Sequence, residues 1–382
     1  MSKDVEVPSK STQILGVVEG DLIVGESAVV RGSGIPPKVS VSGTIRCHSD
    51  CVFECDLTGE NLSGEGYIVV KGDLEIEDRV KIGNGVGFGL FHARAALNVE
   101  GKMKAGTVDV DNKLTVGKDF EAETIDVGGS VDIESKVNVE KLDVGGSASV
   151  TGGRVNKIDV GGSFESKDSL EFESIDVGGS VRLSGKNVGG DIDVGGLCKV
   201  QGDLQFNEID VGGVVEISGS GNGKSLEVGG KVWVGGSLQL SETIEVGGQV
   251  EVGGDLKAYD LEVGGSAQAK SMIVSTDVEV GGSIITTSGV SASSVRIGRR
   301  GEVVGPVRAE EVFIGGRAQV EDVYAKSIAM EGGARARNLY GENVSIESGC
   351  NISGEVQYTR SLRTERNVFF AKTPVKVEKL PQ

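Results

Sequence analysis

The pentapeptide [Ile/Leu/Val]-[Asp/Glu]-Val-Gly-Gly recurs ten times through the middle of this chain, starting at residues 125, 142, 158, 175, 192, 209, 226, 244, 261 and 278. Copies lie 16 to 18 residues apart. A short fixed period marks a repeat architecture and has to be settled before any local element. The same register extends backwards through Val108, Phe91, Leu74, Leu57, Val39 and Leu22. Forwards it reaches Val295, Val312, Ile328, Val344 and a partial unit at Leu362. Twenty units fit between Leu22 and Ser361, which excludes dividing the 382 residues into two or three conventional domains.

Within a unit the apolar residues fall at positions 1, 3, 7, 9, 13 and 15, as in Ile125, Val127, Val131, Ile133, Val137 and Val139. Alternation within each pair is the period of a strand and not of a helix. Glycine supplies 61 residues and concentrates at positions 4–5 and 10–11. Each would cost a helix interior about 1 kcal/mol relative to alanine, whereas a tight corner favours a residue without a Cβ. Three strands and three corners make one triangular coil. Coil on coil gives an all-β, right-handed parallel β-helix of about 20 rungs, the hand following from the preference of parallel crossovers. At about 4.8 Å per rung its length is roughly 95 Å. Rungs touch only their neighbours, and the two ends expose unpaired strand edges. The expected layout is a disordered N-terminal tail over 1–13, the β-helix over 14–371 and an extended C-terminal tail over 372–382.

The rungs VVEGDLIVGESAVVRG (17–32) and VEDVYAKSIAMEGGARARNLYGENVSIESGCNISGEVQYTRSL (320–362) carry a family likeness. Repeated V-x-V-x-G-x-[VI] rungs of about 17 residues resemble the bactofilins, polymer-forming cytoskeletal proteins. That resemblance implies a right-handed triangular β-helix that polymerises end to end without a nucleotide and scaffolds other proteins. The expected partner is therefore a second copy, with scaffolded proteins beside it.

Charge and composition narrow the remaining classes. With 57 acidic against 39 basic residues the net charge is −18, the wrong sign for a phosphate-backbone binder, so nucleic acid is not an expected partner. No apolar run approaches the ~18 residues of a membrane span. The leading MSKDVEVPSKST has no apolar signal region, which points to a cytoplasmic protein without direct membrane insertion. Five cysteines in so long a chain are no disulfide framework.

Candidate chemistry is sparse. The segment SGSGNGKS (218–225) approximates a phosphate loop, but Ser218 stands where glycine is required and a strand, LEVGG, follows in place of a helix. It reads as a loosened rung, a weak joint with Gly221 and Gly223 at inward positions. Cys47, Cys51 and Cys55 with His48 form a C-x₃-C-x₃-C run lacking the second pair of a usual zinc site. The repeat puts Cys47 and Cys51 at inward positions 9 and 13, and Cys198 and Cys350 at position 7, as small buried hydrophobes. Three thiols in so short a span leave metal binding open. Glycosidase or lyase chemistry needs paired carboxylates beside a groove walled by inserted loops. Uniform rungs leave no such loop, and only His48 and His92 supply imidazoles. No enzyme, catalytic residue or cofactor is expected.

The most informative surface position is 2, which reads Asp109, Asp126, Asp143, Asp159, Asp176, Asp193, Asp210, Glu227, Glu245, Glu262 and Glu279. Carboxylates about 4.8 Å apart repel by nearly 1 kcal/mol even at the dielectric of water. The column is a solvated face, or a row of weak Ca²⁺ or Mg²⁺ sites at Asp126, Asp143, Asp159, Asp176, Asp193 and Asp210, or a dock for a basic protein. From Val295 onward Arg296, Arg299, Arg300, Arg308 and Arg317 replace it. The single tryptophan, Trp233, falls at outward position 8. Phe369 and Phe370 follow the last rung, as a self-association contact or a lid on their own stack. The expected function is a nucleotide-independent scaffold polymerising through its ends. The alternative is a non-polymerising β-helical binder with an acidic face.

Overall fold

The computed structural model describes residues 3–83 and 95–381. Forty-nine strands and no helix occur among them. The strands pair in parallel and stack as a β-solenoid of about 21 turns, a parallel β-helix. The chain forms two compact units, residues 1–195 and 196–382. Both consist of the same rung, because a solenoid is held together by contacts between neighbouring coils alone.

In the second unit Ser225–Val228, Thr243–Val246, Asp260–Val263, Asp277–Val280 and Ser294–Ile297 pair successively on one face. Lys231–Val234, Gln249–Val252, Ser266–Ala269 and Ser283–Thr286 build the second face. Leu238–Leu240, Asp255–Ala258, Ser271–Val274 and Val290–Ser291 build the third. The alternation is the cause: Thr243–Val246 reads exposed, buried, exposed, buried, with Ile244 and Val246 turned inward. In the first unit the six expected inward residues Ile125, Val127, Val131, Ile133, Val137 and Val139 are all buried.

The Gly-Gly corners follow from the stacking distance. A Cβ on Gly145 would lie 2.4 Å from the carbonyl oxygen of Gly128 in the rung before, and one on Gly264 2.5 Å from that of Gly247. The loosened rung at 218–225 is not loose. The space beside Gly223 is filled by the ring of Phe206, 2.4 Å from where a Cβ would stand. Phe172 fills the equivalent space over Gly189 in the first unit.

Three expectations are corrected. Within the tail expected over 1–13, residues 5–7 and 12–13 belong to strands: Val5–Val7 pairs with Leu22–Val24 and Thr12–Leu15 with Val29–Gly32. Val7 is buried beneath the next rung, and that apolar contact orders the segment. In the tail assigned to 372–382, Val375–Lys376 pairs with Gln357–Tyr358 and extends the stack.

The third correction concerns the early rungs. Val5 pairs with Leu22, then Leu22 with Ile45, Ile45 with Leu62, Leu62 with Val80 and Val80 with Val108. Two of these steps, 23 and 28 positions, exceed the repeat. Val39, Leu57 and Leu74 consequently stack with Met103 and Phe120 on the third face and not beneath Leu22. The first long step carries Pro36 and Pro37, which cannot donate to a ladder and force the chain out of the coil. Phe91 and His92, in the second, lie outside the described residues. Cys47 stands in register with Val24 and Gly64, and Cys51 with Ile68, so both occupy inward columns other than those expected.

Candidate assembly surfaces

The carboxylate column forms as the repeat requires. In the first unit Asp109, Asp126, Asp143, Asp159, Asp176 and Asp193 are successive register partners. In the second unit Asp210, Glu227, Glu245, Glu262 and Glu279 are. Partial burial, then the charges of Asp143 and Asp109, pushes the Asp126 carboxyl up from its usual range. Lys81 closes the first stretch, with Nζ 3.8 Å from Asp109, and Arg296 faces Glu279 at the end of the second. Lys141 donates to Asp143 Oδ2 at 3.0 Å. Among the described residues no group of three or more His, Cys, Asp or Glu side chains is placed to hold a metal ion. The column therefore offers one carboxylate per rung in file.

Elsewhere the surface alternates charge. On the third face of the first unit Lys104 lies 3.4 Å from Glu121 and Lys102 3.5 Å from Asp119. A groove of about 740 Å³ runs there over Ala105, Ala122 and Val139, with Glu121, Glu140 and Arg154 in its walls. His48, the one imidazole among the described residues, is exposed and far along the chain from this groove.

The cysteines are packing groups. All five are free and buried. A hydrogen bond between their side chains raises the Cys47 thiol and lowers that of Cys51. Burial pushes Cys55 up to about 11 and Cys198 up to about 12. Reactive thiols sit in exposed, electropositive surroundings, and these do not. Cys350 precedes Asn351–Ile352 at a buried corner.

Several aromatic positions differ from a plain reading. Trp233 points outward between Glu216 and Glu251 but is half-buried, its ring edge 3.3 Å from where a Cβ on Gly235 would stand. Arg308 covers the ring of Tyr324 at 4.8 Å, and Tyr324 stacks on Tyr340 with centroids 4.8 Å apart. Arg296 lies over Phe313 at 5.9 Å. The one-rung spacing of Arg308, Tyr324 and Tyr340 was the available signal for this ladder.

The outermost rungs carry exposed apolar side chains. Phe369–Phe370 pairs with Asn351–Ile352, which separates the two phenylalanines. Phe370 continues the inward column over Ile352, while Phe369 faces out and is 59% exposed. Val375, on the following strand, is 52% exposed; in the first rung Ile14 is 71% and Val17 76% exposed. These are four of the six most exposed large apolar residues among those described. No family model, curated protein or solved structure matches this chain.

Proposed function

We propose that this protein is a structural scaffold that assembles with copies of itself, without a nucleotide, through the strand edges of its outermost rungs. The observation that carries the reading is the concentration of exposed apolar residues on those rungs, beside edges that pair on one side only. Val5–Val7, Thr12–Leu15 and Val17–Val18 each pair with a single following strand, and Phe369–Phe370 and Val375–Lys376 each with a single preceding one. Such edges are templates for another chain. The resemblance of the rungs to bactofilins supports the same role. Five free thiols suit a reducing compartment such as the cytoplasm.

Sedimentation and negative-stain microscopy of nucleotide-free protein test the proposal. Wild type is expected to pellet as extended assemblies. Phe369→Ser, at an exposed position, should reduce the pelleted fraction with little change in Tm. Phe370→Ser should lower Tm instead, because it uncovers Ile352. Protein that stays monomeric at all concentrations overturns the reading.

A further inference from the structure

We infer that the self-contact is head-to-tail: the last rung of one copy continues as the first rung of the next, with strands parallel across the junction. This rests on the proposed end-to-end assembly and adds its polarity and register.

The corners supply the argument. Through much of the solenoid the first corner is the Gly-Gly type, yet at both extremes another type replaces it. There, the third residue after the inward valine, isoleucine or equivalent takes a left-handed conformation: Lys10 (φ 58°), Ser27 (56°) and Asp50 (61°) early in the chain. Late in the chain Arg300 (63°), Arg317 (62°), Gly333 (76°), Gly349 (76°) and Asn367 (60°) do the same. In both groups this residue's N–H donates to the neighbouring rung, Lys10 to the Glu26 carbonyl at 2.8 Å and Arg317 to the Gly332 carbonyl at 3.2 Å. A small buried residue follows five of these corners, Ala28 and Cys51 in one group, Ala318, Ala334 and Cys350 in the other; half-buried Ser11 and Val368 follow the two outermost, Lys10 and Asn367. Non-glycine residues seldom accept this conformation, so its recurrence at both extremes makes the two end surfaces the same shape. Asn367 of one copy then stacks on Lys10 of the next and donates to the Ser9 carbonyl.

That match fixes the pairs on the first two faces. Leu362 meets Val5, and Arg363 meets Glu6 with opposite charge. Phe369 lies over Thr12. From the inward position of the second strand to that of the third is six residues in the last rung, Phe370 to Lys376, and five in the first, Gln13 to Val18, so on the third face the register shifts by one and outward Val375 lies beside outward Val17. Pro8 lacks one donor in the new ladder, and its carbonyl is already held by the Ser11 hydroxyl at 2.6 Å. Lys376, at the inward position next to Val375, reaches solvent along its own chain. A head-to-head contact would bring the first rungs of two copies together and leave Arg363 without Glu6.

Thiol cross-linking distinguishes the two arrangements, since all five native cysteines are buried. Val17→Cys with Val375→Cys in one chain, treated with a short bismaleimide, should give a ladder of covalent multimers on a denaturing gel. Either single variant should remain monomeric on that gel while still pelleting. A covalent dimer from Val17→Cys alone, or from Val375→Cys alone, overturns the polarity while leaving end-to-end assembly standing. If wild type does not pellet, the assembly reading fails and the polarity with it. As a second readout, Glu6→Lys and Arg363→Glu should each raise the concentration needed for assembly by up to about fivefold. Combined in one chain they should return it towards wild type. Additive losses in the double variant also overturn the head-to-tail register.

Discussion

A methyl group added to Gly145 would stand 2.4 Å from the Gly128 carbonyl oxygen, closer than any unstrained contact. The two rungs would have to separate locally. Gly145→Ala should therefore destabilise by about 1–3 kcal/mol, the usual cost of overpacking, although Gly145 is exposed and its backbone unstrained. A melt no lower than wild type would mean that the corner gives more easily than the geometry implies. Inward and outward side chains of the neighbouring strands separate just as sharply. Val131 is buried between Leu114 and Ala148, so Val131→Asp leaves an unpaired charge in the column and should unfold the surrounding rungs. Asp126→Ser, on an outward position whose carboxyl is pushed up by partial burial and then by Asp143 and Asp109, should be neutral or slightly stabilising at pH 7. Thermal melts of the pair decide the matter, and a worse outcome for Asp126→Ser would reverse the assignment of faces.

At the scale of strands and columns, the repeat was legible because one rung contains its whole reason for folding. Ile125 to Val139 shows inward alternation, corner glycines and an outward carboxylate without help from any distant residue. What the repeat concealed was its own interruption. The steps from Leu22 to Ile45 and from Val80 to Val108 are both long, and together their excess amounts to one further rung. An evenly spaced reading therefore leaves phase at Val39 and regains it at Val108, with apolar residues at plausible places throughout. The aromatic ladder of Arg308, Tyr324 and Tyr340 was less visible, since stacking geometry depends on rotamers that a periodic pattern does not contain. The carboxylate column was fully visible, and its consequence is a pH dependence with a definite sign. A carboxyl raised in the folded state binds its proton more readily there than in the unfolded chain. The stability linked to it is fully present below the unfolded value and is lost as pH rises through the raised folded one. Asp21 and Asp119 act in the opposite sense: hydrogen bonds from the Thr44 backbone and from the Ser135 hydroxyl, respectively, hold them low, and their contribution is lost on acidification. Comparing Asp126→Asn with wild type isolates the first effect. The variant should gain Tm at pH 7, and the gain should shrink as the pH falls towards 4. A gain independent of pH would show that the column's repulsion does not reach stability.

For the molecule as a whole, the net charge is −18 and carboxylates stand in file on successive rungs, which bears on the proposed assembly. Like-charged columns repel over roughly a Debye length, about 8 Å at physiological salt. On the proposed assembly, lateral contact is therefore disfavoured while end-to-end contact is not. Neutralising the columns should remove that barrier. As pH approaches the isoelectric point near 4.7, or as millimolar Ca²⁺ is added at pH 7, light scattering should rise and negative stain should show thicker bundles. Replacing Asp143, Asp159, Asp176 and Asp193 by Asn should bring on bundling at pH 7 without Ca²⁺ and blunt the response to the ion. These positions are outward, so the variant should keep its fold, which circular dichroism and the melt would verify. The columns hold no group that cages a cation, so the response should be diffuse: Mg²⁺ should replace Ca²⁺ at comparable concentrations, and monovalent salt should act only where screening does. A sharp preference for Ca²⁺ at micromolar concentration would contradict a screened carboxylate face and demand a specific site. An unchanged response in the fourfold variant would remove the columns from the control of lateral assembly.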